Sequence, residues 1–186
     1  MKKISIVHDF TEILFEKKLD LVLLEISTGY YAEQINELNS YIHKGKLAHY
    51  ENHKLKLPSF SPSGILRRLE NNLIVQEYSH YILLSTDRLT PTEMFLAFNV
   101  ASRDLHTLAC FKSPSGKTLK IIVEVNAAYA YYQECFLGVK EYYQRLLSLP
   151  IVNSHRDIPN LCFYSHDPDL YQATGHTIFQ IEIPNY

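Results

Sequence analysis

Between Leu119 and Val125 the chain sets Leu119, Ile121 and Val123 against Lys120, Ile122 and Glu124. This is the two-residue period of a strand that starts with one wet face. A second strand-like run, Leu108 to Lys112, precedes it, and Ser113-Pro114-Ser115-Gly116 lies between them. Proline presets φ, glycine permits positive φ and serine hydroxyls bond nearby backbone, so the two runs read as limbs of a hairpin. Elsewhere the period is helical. Tyr31, Ile35, Leu38 and Ile42 fall on one helix face, with Lys44-Gly45 as a stop. Tyr132, Cys135, Phe136, Val139, Tyr143, Leu146 and Leu147 mark a long amphipathic helix. Thr90-Pro91-Thr92-Glu93 opens another, with Thr90 as N-cap, Pro91 in the first turn and Glu93 closing a capping box, and it should run to about Ser102.

Residues 19–28 are apolar-rich and read as helix. Short strands are expected at Ile4 to Val7, Leu73 to Val75, Tyr81 to Leu84, Leu161 to Tyr164 and Ile178 to Ile183, with Asp167-Pro168-Asp169 as a turn. Leu73 to Val75 and Tyr81 to Leu84 flank a polar bend. His43 to Lys56 reads as a polar connection to a second serine/proline/glycine turn, Leu57 to Gly64. Helices interspersed among paired strands, without strict βαβ order, predict an α+β fold with a mainly antiparallel sheet and flanking helices. No linker or low-complexity segment interrupts the pattern, so residues 1–186 are expected to form one domain.

Composition narrows the chemistry. A net charge of −2 gives no whole-surface attraction to nucleic acid, so any polyanion contact must be a local patch. The chain has 14 tyrosines and no tryptophan; tyrosines can stack on bases but also suit half-buried sheets. Cys110, Cys135 and Cys162 form no CxxC pair, and they read as buried thiols of a reducing compartment. With no secretory pattern and no apolar stretch long enough to span a bilayer, a cytoplasmic protein without membrane attachment is expected.

Candidate chemistry concentrates on the hairpin. Ser113, Ser115, Gly116, Lys117 and Lys120 could hold a phosphate through free backbone N–H groups and two ammonium groups; the alternative is a solvated hairpin with edge lysines. Lys54 and Lys56 could extend such a patch or belong to a plain polar loop. Asp87 is either a catalytic metal ligand or a turn residue ahead of the Thr90 cap, and Asp157 and Asp167 are either acids in catalysis or cap and turn residues. His49-x-x-x-His53 has metal-ligand spacing but no evident third partner. No nucleophile elbow, Walker loop or dinucleotide fingerprint is present.

The order of blocks carries a resemblance. It runs from paired N-terminal helices through Lys54-x-Lys-Leu-Pro-x-Phe-x-x-Ser-Gly64, a strand ending near Asp87 before a capped helix, and Ser113-Pro-Ser-Gly-Lys-x-Leu-Lys-Ile121. It then continues through a tyrosine-rich helix to Leu161-Cys-Phe-x-Ser-x-Asp-Pro-Asp-Leu-Tyr171. From about Ile4 to Phe179 this resembles the N-terminal domain of VirE-type proteins of Bacteroides mobile elements, relatives of archaeo-eukaryotic primase-polymerases. The resemblance implies a primase-polymerase-like sheet bearing acidic ligands for Mg²⁺ or Mn²⁺, with the Ser-Pro-Ser-Gly hairpin near the triphosphate or the strand. It also implies a role in DNA replication or mobilisation beside a helicase-like protein or region. The Asp-x-Asp of that pattern reads Ser85-Thr86-Asp87 here. Asn153 stands near a further expected acid, Asp157 keeps the next, Asn160 replaces an arginine, and Lys120 falls where the polymerases carry a histidine. A two-metal site needs several carboxylates. The expectation is therefore a catalytically degenerate domain, with no cofactor, that binds single-stranded nucleic acid or nucleotides. The alternatives are a weak metal-dependent nucleotidyltransferase that borrows acids such as Asp157 or Glu124, and a tyrosine-rich module that docks a helicase-like partner.

Overall fold

The computed structural model describes residues 1–153 and 158–181. It is an α+β fold. In chain order the elements are β1 (Lys3–His8), β2 (Glu12–Lys18), α1 (Leu19–Thr28), α2 (Ala32–His43), α3 (Leu47–Lys54), β3 (Ser59–Phe60), β4 (Gly64–Leu69), β5 (Asn72–Tyr78) and β6 (Tyr81–Ser85). They continue with α4 (Pro91–Ala101), β7 (Thr107–Lys112), β8 (Leu119–Glu124), α5 (Tyr132–Leu147), β9 (Cys162–Phe163) and β10 (Tyr171–Gln172).

Two four-stranded sheets, ordered β2-β1-β3-β9 and β10-β7-β8-β6, and the hairpin β4-β5 carry the strands. Every ladder between these named strands is antiparallel. The second sheet is the wall on which the candidate site is built, and its alternation decides what covers each face. Ile82, Leu84, Leu119, Ile121 and Val123 point to α4 and α5, where they meet Met94, Ala97, Phe136 and Val139. Leu83, Phe111 and Ile122 point the other way, onto α1 and the apolar side chains of the first sheet.

The helix ends follow their capping chemistry. The Thr90 hydroxyl accepts from the Glu93 N–H at 3.3 Å, and the Glu93 carboxylate accepts from the Thr90 N–H at 2.8 Å, the reciprocal box expected for α4. These bonds hold the Glu93 carboxyl below its ordinary pKa. Glycine is required by space at Gly64, where φ is +136° and an added Cβ would lie 1.9 Å from the Glu77 carbonyl oxygen.

Several elements differ from expectation. The polar connection His43 to Lys56 contains α3, whose one buried residue is Tyr50. β2 and β4 are additional strands. The strand at Asn72–Tyr78 is longer than the expected Leu73 to Val75 and pairs with β4 across Glu70–Asn71. The expected last strand is represented by Phe179, which bridges Val125; residues 182 and 183 lie outside the described residues. All three cysteines are buried free thiols. Among the described residues, no helix is long and apolar enough to cross a membrane.

Candidate anion-binding cleft

The hairpin turn sits where four elements meet. Ser113 N–H donates to the Thr118 carbonyl at 2.9 Å, and Gly116 N–H to the Ser113 carbonyl at 2.8 Å. Thr118 N–H reaches the Ser113 hydroxyl at 3.3 Å, and Lys117 N–H the Ser115 hydroxyl at 3.4 Å. The turn therefore uses these amides on its own carbonyl and hydroxyl oxygens. Four of the five backbone N–H groups from Ser113 to Thr118 are used in this way, so the side chains are the larger part of what the turn offers an anion. Gly116 takes φ +67° with open space around it, so its role is conformational.

Two neighbours fix the turn in place. The Asn39 amide of α2 donates to the Pro114 carbonyl at 3.1 Å. On the other side the chain after β6 runs along the hairpin: Leu119 N–H donates to the Thr86 hydroxyl at 3.0 Å, and Leu89 N–H to the Lys117 carbonyl at 2.8 Å. Behind the turn, Asp167 holds the end of β7. This carboxylate, 1% exposed, accepts from Lys112 N–H at 2.7 Å and from the Lys112 ammonium at 3.2 Å. Ser165 donates to the Lys112 carbonyl at 2.7 Å.

These contacts enclose a cleft of about 430 Å³, walled by α2, α3, the 85–88 segment, the hairpin and β9. Lys54, Arg88, Lys117 and Lys120 line it, against one carboxylate from the described residues, Asp87. A protein of net charge −2 thus gathers four cations on one concave surface. Low-dielectric walls focus such a field. Ser85 lies opposite Lys120 in the β6–β8 register, so the two share a sheet face that opens into the cleft. Tyr50 closes the α3 side. Burial raises its pKa, which the Ser115 hydroxyl and the Arg88 guanidinium oppose.

The four cations are held differently. The Lys54 ammonium lies 3.5 Å from Glu51 and 5.2 Å from the Phe163 ring centroid. Burial lowers the Lys120 pKa; Lys54 adds to this and Cys162 opposes it. Lys117 and Arg88 are exposed, with no ion-pair partner among the described residues. Cys162 also lines the cleft, but burial pushes its thiol up to about 11, with Lys120 opposing, so it remains a thiol at neutral pH.

The structure brings Ser113, Ser115, Lys117, Lys120 and Asp87 together in this cleft; Gly116 shapes the turn. Asp87 lines the cleft and accepts from Arg88 N–H at 2.7 Å, the bond of a turn residue; among the described residues it belongs to no cluster of three His, Cys, Asp or Glu side chains. Asn153 does not join the lining and accepts from Lys140 at 2.6 Å. Glu124, considered as a borrowed acid, is four residues from Lys120 along β8, about 13 Å at strand rise. It pairs with His176 at 2.8 Å and Lys2 at 3.6 Å and does not line the cleft. Asp167 is a structural clamp. Asn160 is buried and donates to the Tyr132 hydroxyl. Asp157 lies outside the described residues. Arg88 and Tyr50 were not anticipated; the Asp-Arg pair ahead of the Thr90 cap was the only local signal for Arg88.

The family described as BT4734-like, N-terminal domain, matches residues 52–171. The chain belongs to this family, a Bacteroides-type domain. The matched stretch contains every polar residue of the cleft except Tyr50. No curated protein and no solved structure matches the chain.

Proposed function

We propose that this member of the BT4734-like N-terminal family is a catalytically degenerate primase-like domain. It binds single-stranded nucleic acid or nucleotides by their phosphates, in the replication or mobilisation of a mobile element. The observation that carries the reading is the charge balance of the cleft: Lys54, Arg88, Lys117 and Lys120 face Asp87. Cations and hydroxyls suit phosphate oxygens. Two-metal phosphoryl transfer needs several carboxylates in one place, and Ser85 offers a hydroxyl where the VirE-type pattern leads one to expect an acid.

A labelled single strand titrated with the chain at low salt tests the reading by fluorescence anisotropy. Binding is expected, and Lys117→Ala and Arg88→Ala should each weaken it several-fold. Wild-type protein that binds neither single strand nor nucleoside triphosphate would end the proposal and turn the search to a helicase-like protein partner.

One observation favours a second reading, a weak metal-dependent nucleotidyltransferase: Asp87 lines the same cleft as the hairpin. That reading predicts primer extension with Mn²⁺ that is lost in Asp87→Ala, whereas the degenerate domain shows no extension in either protein.

A further inference from the structure

Across the Ser115–Lys117 corner from the cleft lies a second groove of about 760 Å³, between α4 and the hairpin. Pro91, Met94, Phe95 and Phe98 give it apolar walls, and Lys112 and Lys117 add cations. Phe95 keeps 68% of its surface exposed. Asp169, which also lines the groove, is held by the Lys112 ammonium at 2.7 Å. Lone exposed apolar residues are ordinary on protein surfaces. Here the exposed ring belongs to a groove that shares Ser115 and Lys117 with the cationic cleft, so one surface runs from phosphate-binding chemistry to an aromatic shelf. Proteins that hold single strands combine these two parts: a basic track for the backbone and aromatic faces for the bases.

We propose that the groove receives a base of the bound single strand, stacked on Phe95, with Lys117 holding the phosphate between groove and cleft. This rests on the phosphate reading of the cleft and adds to it that the ligand is a base-bearing strand. The shared lining gives continuity, and Lys117, without an ion-pair partner among the described residues, supplies the complementary charge. The volume lies within the range of ordinary ligand pockets and leaves room for a base with its sugar.

The test compares an oligothymidylate with an abasic oligonucleotide of equal length, using anisotropy for the wild type, Phe95→Ala and Lys117→Ala. The wild type should bind the base-bearing strand roughly tenfold tighter. Phe95→Ala should abolish that difference and leave abasic binding unchanged, while Lys117→Ala weakens both. Because the chain has no tryptophan, Phe95→Trp supplies a single reporter, whose fluorescence the oligothymidylate should quench and the abasic strand should not. Equal wild-type affinity for both strands, or Phe95→Ala behaving as wild type, overturns the inference, leaves the phosphate reading intact and assigns the groove to a protein partner. Failure of the wild type to bind either strand overturns the inference, and failure to bind a nucleoside triphosphate as well overturns both.

Discussion

Replacing Asp167 by alanine removes the carboxylate that anchors the base of the hairpin. Three bonds disappear: those from Lys112 N–H at 2.7 Å, the Lys112 ammonium at 3.2 Å and Asp169 N–H at 3.3 Å. Lys112 retains Asp169 at 2.7 Å, so its charge is not stranded. Its N–H is left without an acceptor in a partly buried position. An orphaned donor costs ~1–3 kcal/mol and a charged hydrogen bond contributes ~1.5–3 kcal/mol. With the ammonium partly compensated, the loss should be about 3 kcal/mol. For a chain of this size that lowers the melting temperature by roughly 6–12 °C. Asp167→Asn keeps the shape and one acceptor oxygen and should lose about half as much. Thermal melts and urea midpoints followed by circular dichroism measure both. An Asp167→Ala protein within 0.5 kcal/mol of wild type, on the scale of an ordinary surface change, would refute the clamp.

Two further predictions concern the backbone and the cleft. Gly64→Ala drives a methyl group into the Glu77 carbonyl and should cost about 3 kcal/mol. Gly116→Ala meets only the left-handed φ, in open space, and should cost about 1 kcal/mol; urea midpoints separate the two. The lowered Lys120 pKa, set first by burial, makes pH a lever. Anion affinity should fall as pH rises through that pKa, earlier than for a surface lysine titrating at 10.5. Folding stability should move oppositely, because over the same window the unfolded Lys120 still binds the proton that the folded one has released. Lys120→Arg should flatten the affinity loss in pH-dependent anisotropy.

The elements readable in the sequence were those with local chemistry or a clear period. The Thr90–Glu93 box marked α4, and the stripe from Tyr132 to Tyr143 marked α5. Ser-Pro-Ser-Gly marked the hairpin. The missed elements draw their stability from partners. β2 is largely exposed on the edge of its sheet and shows no alternation. β4 carries a bulge between Ile65 and Leu66 that breaks its period. α3 buries one side chain and leans on α2. The site divides the same way. Turn chemistry pointed to Ser113 and Lys117, and period 2 placed Ser85 with Asp87. Lys54 entered only as one of two lysines of a polar stretch, and no local pattern could bring Tyr50 across from α3, since tertiary packing decides that approach. The turn's use of its own amides also depends on distances that composition does not carry.

If the cations of the cleft neutralise phosphates, single-strand affinity must fall as salt rises. If all four cations engage, log K against log salt should fall with a slope of roughly −2 to −3, and removing Lys117 should reduce its magnitude by about 0.7. A slope near zero, or a Lys117→Ala line parallel to wild type, would mean that these cations do not neutralise phosphates.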